Sequence, residues 1–258
     1  MLRALSMMTS LLLCALGLAS PLLRAEATTP ATAAAPRQLL LAIAPNTETF
    51  TGTIRLFHRN DAGQWIADSE PWPVLFGKKG LAWGRGLHPA QPGLQKAERD
   101  GRSPAGRFRI GFALGNEPQL PSGAQWTYHA KSPNDAWIED PTLPNYNHLV
   151  TVPENDRPAW FDKQRLKLDD PAYHWLLVIE HNYPDSVPGA GSAIFFHVRR
   201  GEFVPTAGCT TMPQERLEHI LRWLRPAANP QFVLLAQVDY DRLWQTWDLP
   251  SPQQFGAK

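Results

Sequence analysis

Ser192-Ala193-Ile194-Phe195-Phe196-His197-Val198 reads as a β-strand, and the turn after it leads into Thr206-Ala207-Gly208-Cys209-Thr210-Thr211. Alternation along the strand puts Ala193, Phe195 and His197 on one face and Ile194, Phe196 and Val198 on the other. The nine residues from Arg199 to Ala207 are enough to turn the chain back and bring Cys209 within reach of His197. A histidine alone at this place would be a satisfied, partly buried side chain, and a cysteine alone a small buried hydrophobe. Their short spacing, with Gly208 between strand and thiol, points instead to a nucleophile and its base.

Beyond Cys209 lies a helix. Leu217, Ile220, Leu221 and Leu224 follow the i, i+3, i+4, i+7 stripe of a helix with one buried side. Thr211 with Gln214 fits a capping box, Pro213 suits the first turn, Arg222 and Arg225 suit the negative end, and Pro226 stops the helix. This reading puts Cys209 just ahead of a helix N-terminus, where the amides favour thiolate over thiol.

The chain has two cysteines, and Cys14 falls in a segment with the three parts of a secretory signal. These are Met1-Leu2-Arg3, an apolar run from Ala4 to Ala19, and Ala25-Glu26-Ala27. Cleavage after Ala25 or Ala27 is expected, which makes residues 1–27 a signal peptide. The apolar run is shorter than the roughly 20 residues that span a bilayer, so no transmembrane helix is expected in the mature chain. Lipidation of Cys14 would call for a small residue before it, and Leu13 stands there. Cys209 is then the lone thiol of an exported protein, a liability in an oxidising compartment unless it is used.

Residues 28–37, rich in Ala, Thr and Pro, bury little and read as a flexible leader. Residues 38–250 read as one domain and residues 251–258 as a tail. A formal net charge of +1 gives no electrostatic footprint for nucleic acid. Proline, at 25 residues, is about twice its average share and argues against long helices. Short β-type runs at 38–43, 53–58, 107–112, 175–180, 193–198 and 232–238, set apart by Gly, Pro, Asn and Asp, indicate a mainly β fold. The stretch 113–170, rich in Pro and Trp and weakly periodic, reads as loops that cover the sheet and wall a groove.

On these landmarks the chain resembles the L,D-transpeptidase (YkuD, or ErfK/YbiS) family. Ser192 to His197 followed by Thr206-Ala207-Gly208-Cys209 is similar to the family signature. Asp100-Gly101-Arg102-Ser103-Pro104-Ala105-Gly106-Arg107-Phe108 resembles its Gly-Asp-x-x-Thr-Pro-x-Gly-x-Phe strand entry. Asp140-Pro141 with Tyr146-Asn147 resembles a stretch between the two, so the likeness covers roughly residues 38–225. Three departures mark a divergent branch. Ala207 stands where the motif has a histidine, Thr211 stands where it has Arg or Asn, and the interval from histidine to cysteine is short.

The resemblance implies a mixed β-sandwich catalytic domain with one helix after the cysteine. It implies a periplasmic, wall-associated enzyme that acts on peptidoglycan stem peptides and needs no cofactor. Cys209 would attack the carbonyl of an L-centre and release the following D-residue, with His197 as base and then acid. The oxyanion would sit on the Cys209 amide with a neighbour at Gly208 or Thr210. The group orienting His197 stays open between a backbone carbonyl of the 199–206 loop and a side chain. Transfer to an acceptor amine, hydrolysis by water, and a catalytically weak wall-binding module all remain open.

Tyr146, Asn147, Arg199 and Thr206 are candidates for substrate contact, although Tyr146 and Asn147 also fit a structural turn. Arg199 and Arg200 would meet an acidic stem or be solvated. His174, Glu180, His181 and Asn182 would line the groove or pack a hairpin, and Trp244 and Trp247 read as a packing clasp. No His-Glu-x-x-His run or paired-cysteine spacing occurs, so no metal site is expected. A sortase would call for a Thr-x-Thr-Cys strand and a longer interval, and a papain-like hydrolase for the opposite chain order.

Overall fold

Short strands joined by proline-punctuated turns can bury a core only by pairing, and the computed structural model, which describes residues 35–256, is built around one large sheet. Its strands begin with β1 (Gln38–Ala44), β2 (Thr51–Arg59), β3 (Trp65–Ala67), β4 (Trp72–Leu75), β5 (Leu81–Trp83) and β6 (Ser103–Gly115). They continue with β7 (Tyr128–Ala130), β8 (Asp135–Trp137), β9 (Leu149–Thr151), β10 (Trp175–Ile179), β11 (Phe195–Val198), β12 (Thr210–Met212) and β13 (Gln231–Ala236). The helices are α1 (Phe161–Gln164), α2 (Gln214–Trp223), α3 (Gln237–Leu243) and α4 (Pro252–Phe255).

The hydrogen-bonded order is β1-β13-β6-β10-β11-β12-β4-β2, and β2 pairs again with β1, so the sheet closes into a barrel. Within this ring β1–β13 and β11–β12 are parallel and the other pairs antiparallel, the mixed pairing expected. The layers of the expected sandwich are opposite walls of this closed sheet. The seam between β12 and β4 is a single residue pair, Thr211 with Leu75. β3 extends β2, β5 and β7 lie parallel to the two ends of β6, and β8–β9 form a separate ladder.

β1 and β13 are buried at every position, which accounts for the apolar run that follows the opening Gln38 and Gln231. A strand with core on one side and a helix on the other has no polar face to show. α3 packs on β13 and β1, and α2 on β11. α2 buries the expected Leu217, Ile220 and Leu221, with Leu224 buried at its C-cap. Each such side chain is worth about 1.5–3 kcal/mol relative to exposure. Trp247 is buried against the core and stacks on His88 with ring centroids 5.2 Å apart, a packing clasp.

Several local expectations are corrected. The capping box does not form. Thr211 is extended in β12, held in register with His197 and Leu75, and Pro213 is the N-cap with no side-chain hydrogen bond. β11 starts at Phe195 rather than 193, because Ala193 is left-handed at φ 53°. β13 ends at Ala236, and the expected continuation to 238 is the first turn of α3. Within 113–170 the loops are interrupted by β7, β8, β9 and α1. Residues 251–256, set apart as a tail, dock onto the barrel: α4 has a capping box at Ser251, Phe255 is buried, and Gln254 donates to the Trp65 carbonyl. The expected signal peptide and most of the leader lie outside the described residues. No helix among the described residues is long and apolar enough to cross a membrane.

Candidate active site

The parallel β11–β12 ladder aligns Phe196 with Thr210 and His197 with Thr211. Cys209 enters this ladder two residues before Thr211, so it shares a face with Phe195 and His197. Cys209 and His197 are diagonal neighbours, one strand spacing of roughly 4.8 Å across and two residues, roughly 6.6 Å, along. Both line a single cavity of about 500 Å³ together with Phe195, Thr211 and, from β10, Leu176. The expected meeting of Cys209 and His197 is therefore what the strand pairing brings about. The other wall comes from the 113–170 stretch, through Trp137, Glu139 and the segment 163–167.

The cysteine turn is held by two hydroxyls. Ser103, at the start of β6, donates to the Gly208 carbonyl at 2.7 Å, lies 3.2 Å from that of Cys209, and accepts the Gly77 N–H at 2.9 Å. Thr206 Oγ1 donates to the Cys209 carbonyl at 2.7 Å and accepts the Gly208 N–H at 3.0 Å. A Cβ at Gly208 would stand 3.0 Å from the Arg102 carbonyl oxygen, so the protein's own β6 entry leaves little room for a side chain there. The Gly208 N–H is engaged by Thr206, whereas the Cys209 N–H has no acceptor among the hydrogen bonds of the described residues.

His197 is buried, and its Nδ1 lies 2.9 Å from the Val198 carbonyl. A carbonyl only accepts, so Nδ1 carries the proton and Nε2 is left as the acceptor. The orienting group is thus a backbone carbonyl, one residue short of the loop in which it was sought. The ring of Tyr173 meets His197 edge-on at 5.3 Å. Burial, with the nearby Arg200 charge, brings the imidazole down to about 4.

Cys209 is partly exposed as a residue, yet protein atoms crowd its sulfur. Sγ donates to the Ala193 carbonyl at 3.3 Å. Desolvation pushes the thiol up to about 12, against a smaller lowering by the Phe195 N–H. β12 separates the cysteine from α2, so the sulfur does not sit at the helix end as expected, and burial works against the expected thiolate. Burial thus favours the uncharged form of both groups, thiol and neutral imidazole.

Six basic side chains line the cavity, Lys96, Arg99, Lys163, Arg165, Lys167 and Arg200, against the acids Glu98 and Glu139. Lys96 pairs with Asp100 at 2.5 Å, and Arg200 grips both oxygens of Asp170 at 2.8 and 2.5 Å. The other four make no ion pair among the described residues. Lys131, whose Nζ donates to the carbonyls of Tyr173 and Lys167, ties two parts of this wall together.

The remaining candidates fall in different places. Thr206 lines the cavity, while Thr210 is buried on β12 away from it. Arg199 does not line the cavity, and its neighbour Arg200 does. Tyr146 is buried and donates to Glu98, which also accepts from Ser192 at 2.7 Å. Asn147 is buried, and its amide is saturated by protein: it donates to the carbonyls of His181 and Asn182 and accepts from Trp137 Nε1 and the Ala193 N–H. His181 is buried between the Arg85 N–H and the Ala190 carbonyl, and Glu180 and Asn182 line a separate depression. Ser103, Val198 and Ala193 were missed as site residues. For Ser103 the sequence held a signal in the motif-like entry of β6, and for Ala193 in its place within the Ser192–His197 stretch.

Neither the curated proteins nor the solved structures compared with the chain gave a match. A family model for the L,D-transpeptidase catalytic domain, YkuD, matches residues 55–233, from inside β2 to inside β13, and so spans both His197 and Cys209. With the thiol and imidazole on one face of that matched barrel, the chain belongs to the YkuD family of L,D-transpeptidase catalytic domains.

Proposed function

We propose that the protein is a peptidoglycan L,D-transpeptidase working through a thioester on Cys209. The observation that carries this reading is the sharing of one cavity by Cys209 and His197, whose Nδ1 is held by the Val198 carbonyl. The thiol gives its proton to Nε2 as sulfur attacks the carbonyl of an L-centre in a stem peptide. The tetrahedral oxyanion is received by the Cys209 amide, a contact of a kind worth about 2.7–4 kcal/mol. Collapse breaks the amide bond, the imidazolium protonates the departing D-residue, and the thioester remains. An acceptor amine then attacks the thioester and the thiol is restored, so the exchange of one amide for another needs no energy source.

The basic wall supports an anionic peptide as substrate, since six basic residues against two acids line the cavity of a chain with net charge +1. Thr206 acts by shaping the cysteine turn, and Tyr146 and Asn147 by supporting the wall behind it. An export signal over residues 1–27 would deliver the domain to the periplasm, where its substrate is. Hydrolysis of the thioester, giving an L,D-carboxypeptidase, uses the same residues with water as acceptor.

Intact-mass spectrometry with a stem tetrapeptide or a carbapenem tests the reading. An adduct is expected on the wild type and none on folded Cys209→Ala; an undiminished adduct on the variant removes Cys209 as nucleophile. Muropeptide masses from treated sacculi then separate a new cross-link from a shortened stem.

A further inference from the structure

The sulfur of Cys209 is tied to a residue that is itself in an unusual state. Ala193 has φ 53°, in the left-handed region that side chains with a Cβ rarely adopt. Its carbonyl accepts the thiol of Cys209 at 3.3 Å. The Phe195 amide, two residues on, also bears on the sulfur, so the left-handed bend is what lets a carbonyl and an amide of one short segment meet the same atom. Something must hold Ala193 in this state, because an alanine left to itself would relax to the extended form that β11 continues.

Asn147 is placed to hold it. Its Oδ1 accepts the Ala193 N–H at 2.9 Å. The same oxygen accepts Trp137 Nε1 at 3.1 Å, and Nδ2 donates to the carbonyls of His181 and Asn182 at 3.1 and 2.7 Å. The carboxamide is 2 % exposed as a residue and has spent every donor and acceptor on three separate segments, so it cannot swing away. Ser192 is pinned alongside through its hydroxyl to Glu98.

We propose that Asn147 is a positioning residue for the nucleophile: by accepting the Ala193 N–H it keeps Ala193 left-handed, so that the Ala193 carbonyl faces Cys209 Sγ and fixes the direction of the thiol. The inference rests on the cysteine-transpeptidase reading for its catalytic consequence. It assigns no contact with substrate to Asn147. The thiol waits on the carbonyl, already aimed along the cavity, and leaves it for His197 when a substrate carbonyl arrives. Loss of the aim should slow bond formation more than binding, because misplacement by about 1 Å can cost about a hundredfold in rate.

Two reactions of the full chain test this: acylation by a stem tetrapeptide, resolved into kcat and KM, and alkylation of Cys209 by iodoacetamide, which needs no wall substrate. Asn147→Ala should lower kcat for acylation about tenfold or more with KM within about twofold, the pattern of a lost transition-state alignment. It should also speed alkylation, since the thiol is no longer tied to a carbonyl. Adding Ala193→Gly to that variant should restore part of kcat, because glycine takes the left-handed state without a clamp. Ala193→Val, which leaves Asn147 intact but resists the left-handed state, should reproduce the loss of kcat, and it decides the matter if Asn147→Ala does not fold. Wild-type kcat in Ala193→Val, or no recovery on adding Ala193→Gly to a folded Asn147→Ala protein, overturns the proposal. A wild type inert to the tetrapeptide would instead sink the transpeptidase reading, and the alkylation rates would still report on the aim of the thiol.

Discussion

Ser103 holds Gly208 across 105 positions of sequence: its hydroxyl donates to the Gly208 carbonyl at 2.7 Å while it accepts the Gly77 N–H at 2.9 Å. One side chain thereby joins the start of β6, the edge of β4 and the cysteine turn.

Replacing Ser103 with Ala leaves a buried N–H and a carbonyl without partners, and each such orphan costs about 1–3 kcal/mol. Ser103→Ala is expected to lower the melting temperature and to reduce acylation about tenfold through a loosened Cys209 turn. Thermal melts and single-turnover acylation measure the two effects. Unchanged kinetics in the folded variant would show that Thr206 alone keeps the turn in shape.

The depressed His197 value fixes the pH dependence. An imidazole brought down to about 4 is neutral and able to accept a proton throughout the neutral range. Acylation kcat/KM should be level from about pH 5.5 to 8 and fall at more acid pH with a midpoint near 4, as a buried base requires. The sign for stability is the same. Unfolded histidine takes its proton near 6.5, so the folded protein loses stability as pH drops from about 6.5 towards about 4 and is insensitive to this group above that window. A pH–rate profile with its midpoint at about 6.5 would mean a solvated imidazole.

The basic wall should act on binding. Changing Lys163, Arg165 and Lys167 together to Gln is expected to raise KM for an anionic stem peptide about tenfold, each exposed charge contributing up to about 1 kcal/mol, with little change in kcat. Wild-type KM should rise with added salt, and the triple variant should be nearly indifferent to it. Equal salt dependence in both would place the substrate's charges elsewhere.

What could be read from sequence was local. The stripe Leu217, Ile220, Leu221, Leu224 gave α2, and alternation through His197 set the correct face for the histidine. The unbroken apolar runs of β1 and β13 declared themselves because both faces are covered. The errors came where two local signals competed. Thr210, Thr211 and Met212 suit a strand as well as a helix entry, and a three-residue strand is too short to show a period. The ladder with Phe196 and His197, which no local pattern reveals, settled the contest and took the helix dipole away from the thiol. Ser103 as a latch, Val198 as the orienting carbonyl, the left-handed Ala193 and the choice of Arg200 over Arg199 all depend on contacts or dihedral angles that only the closed barrel defines.

The ring is stitched unevenly. β12 has three residues and meets β4 through one pair, Thr211 with Leu75, whereas β1, β2, β13 and β6 share long ladders on the opposite arc. Chemistry and endurance therefore occupy different arcs of one barrel. The mouth beside the thiol can be retailored by substitution while the far wall, where most of the cohesion resides, goes on holding the molecule shut.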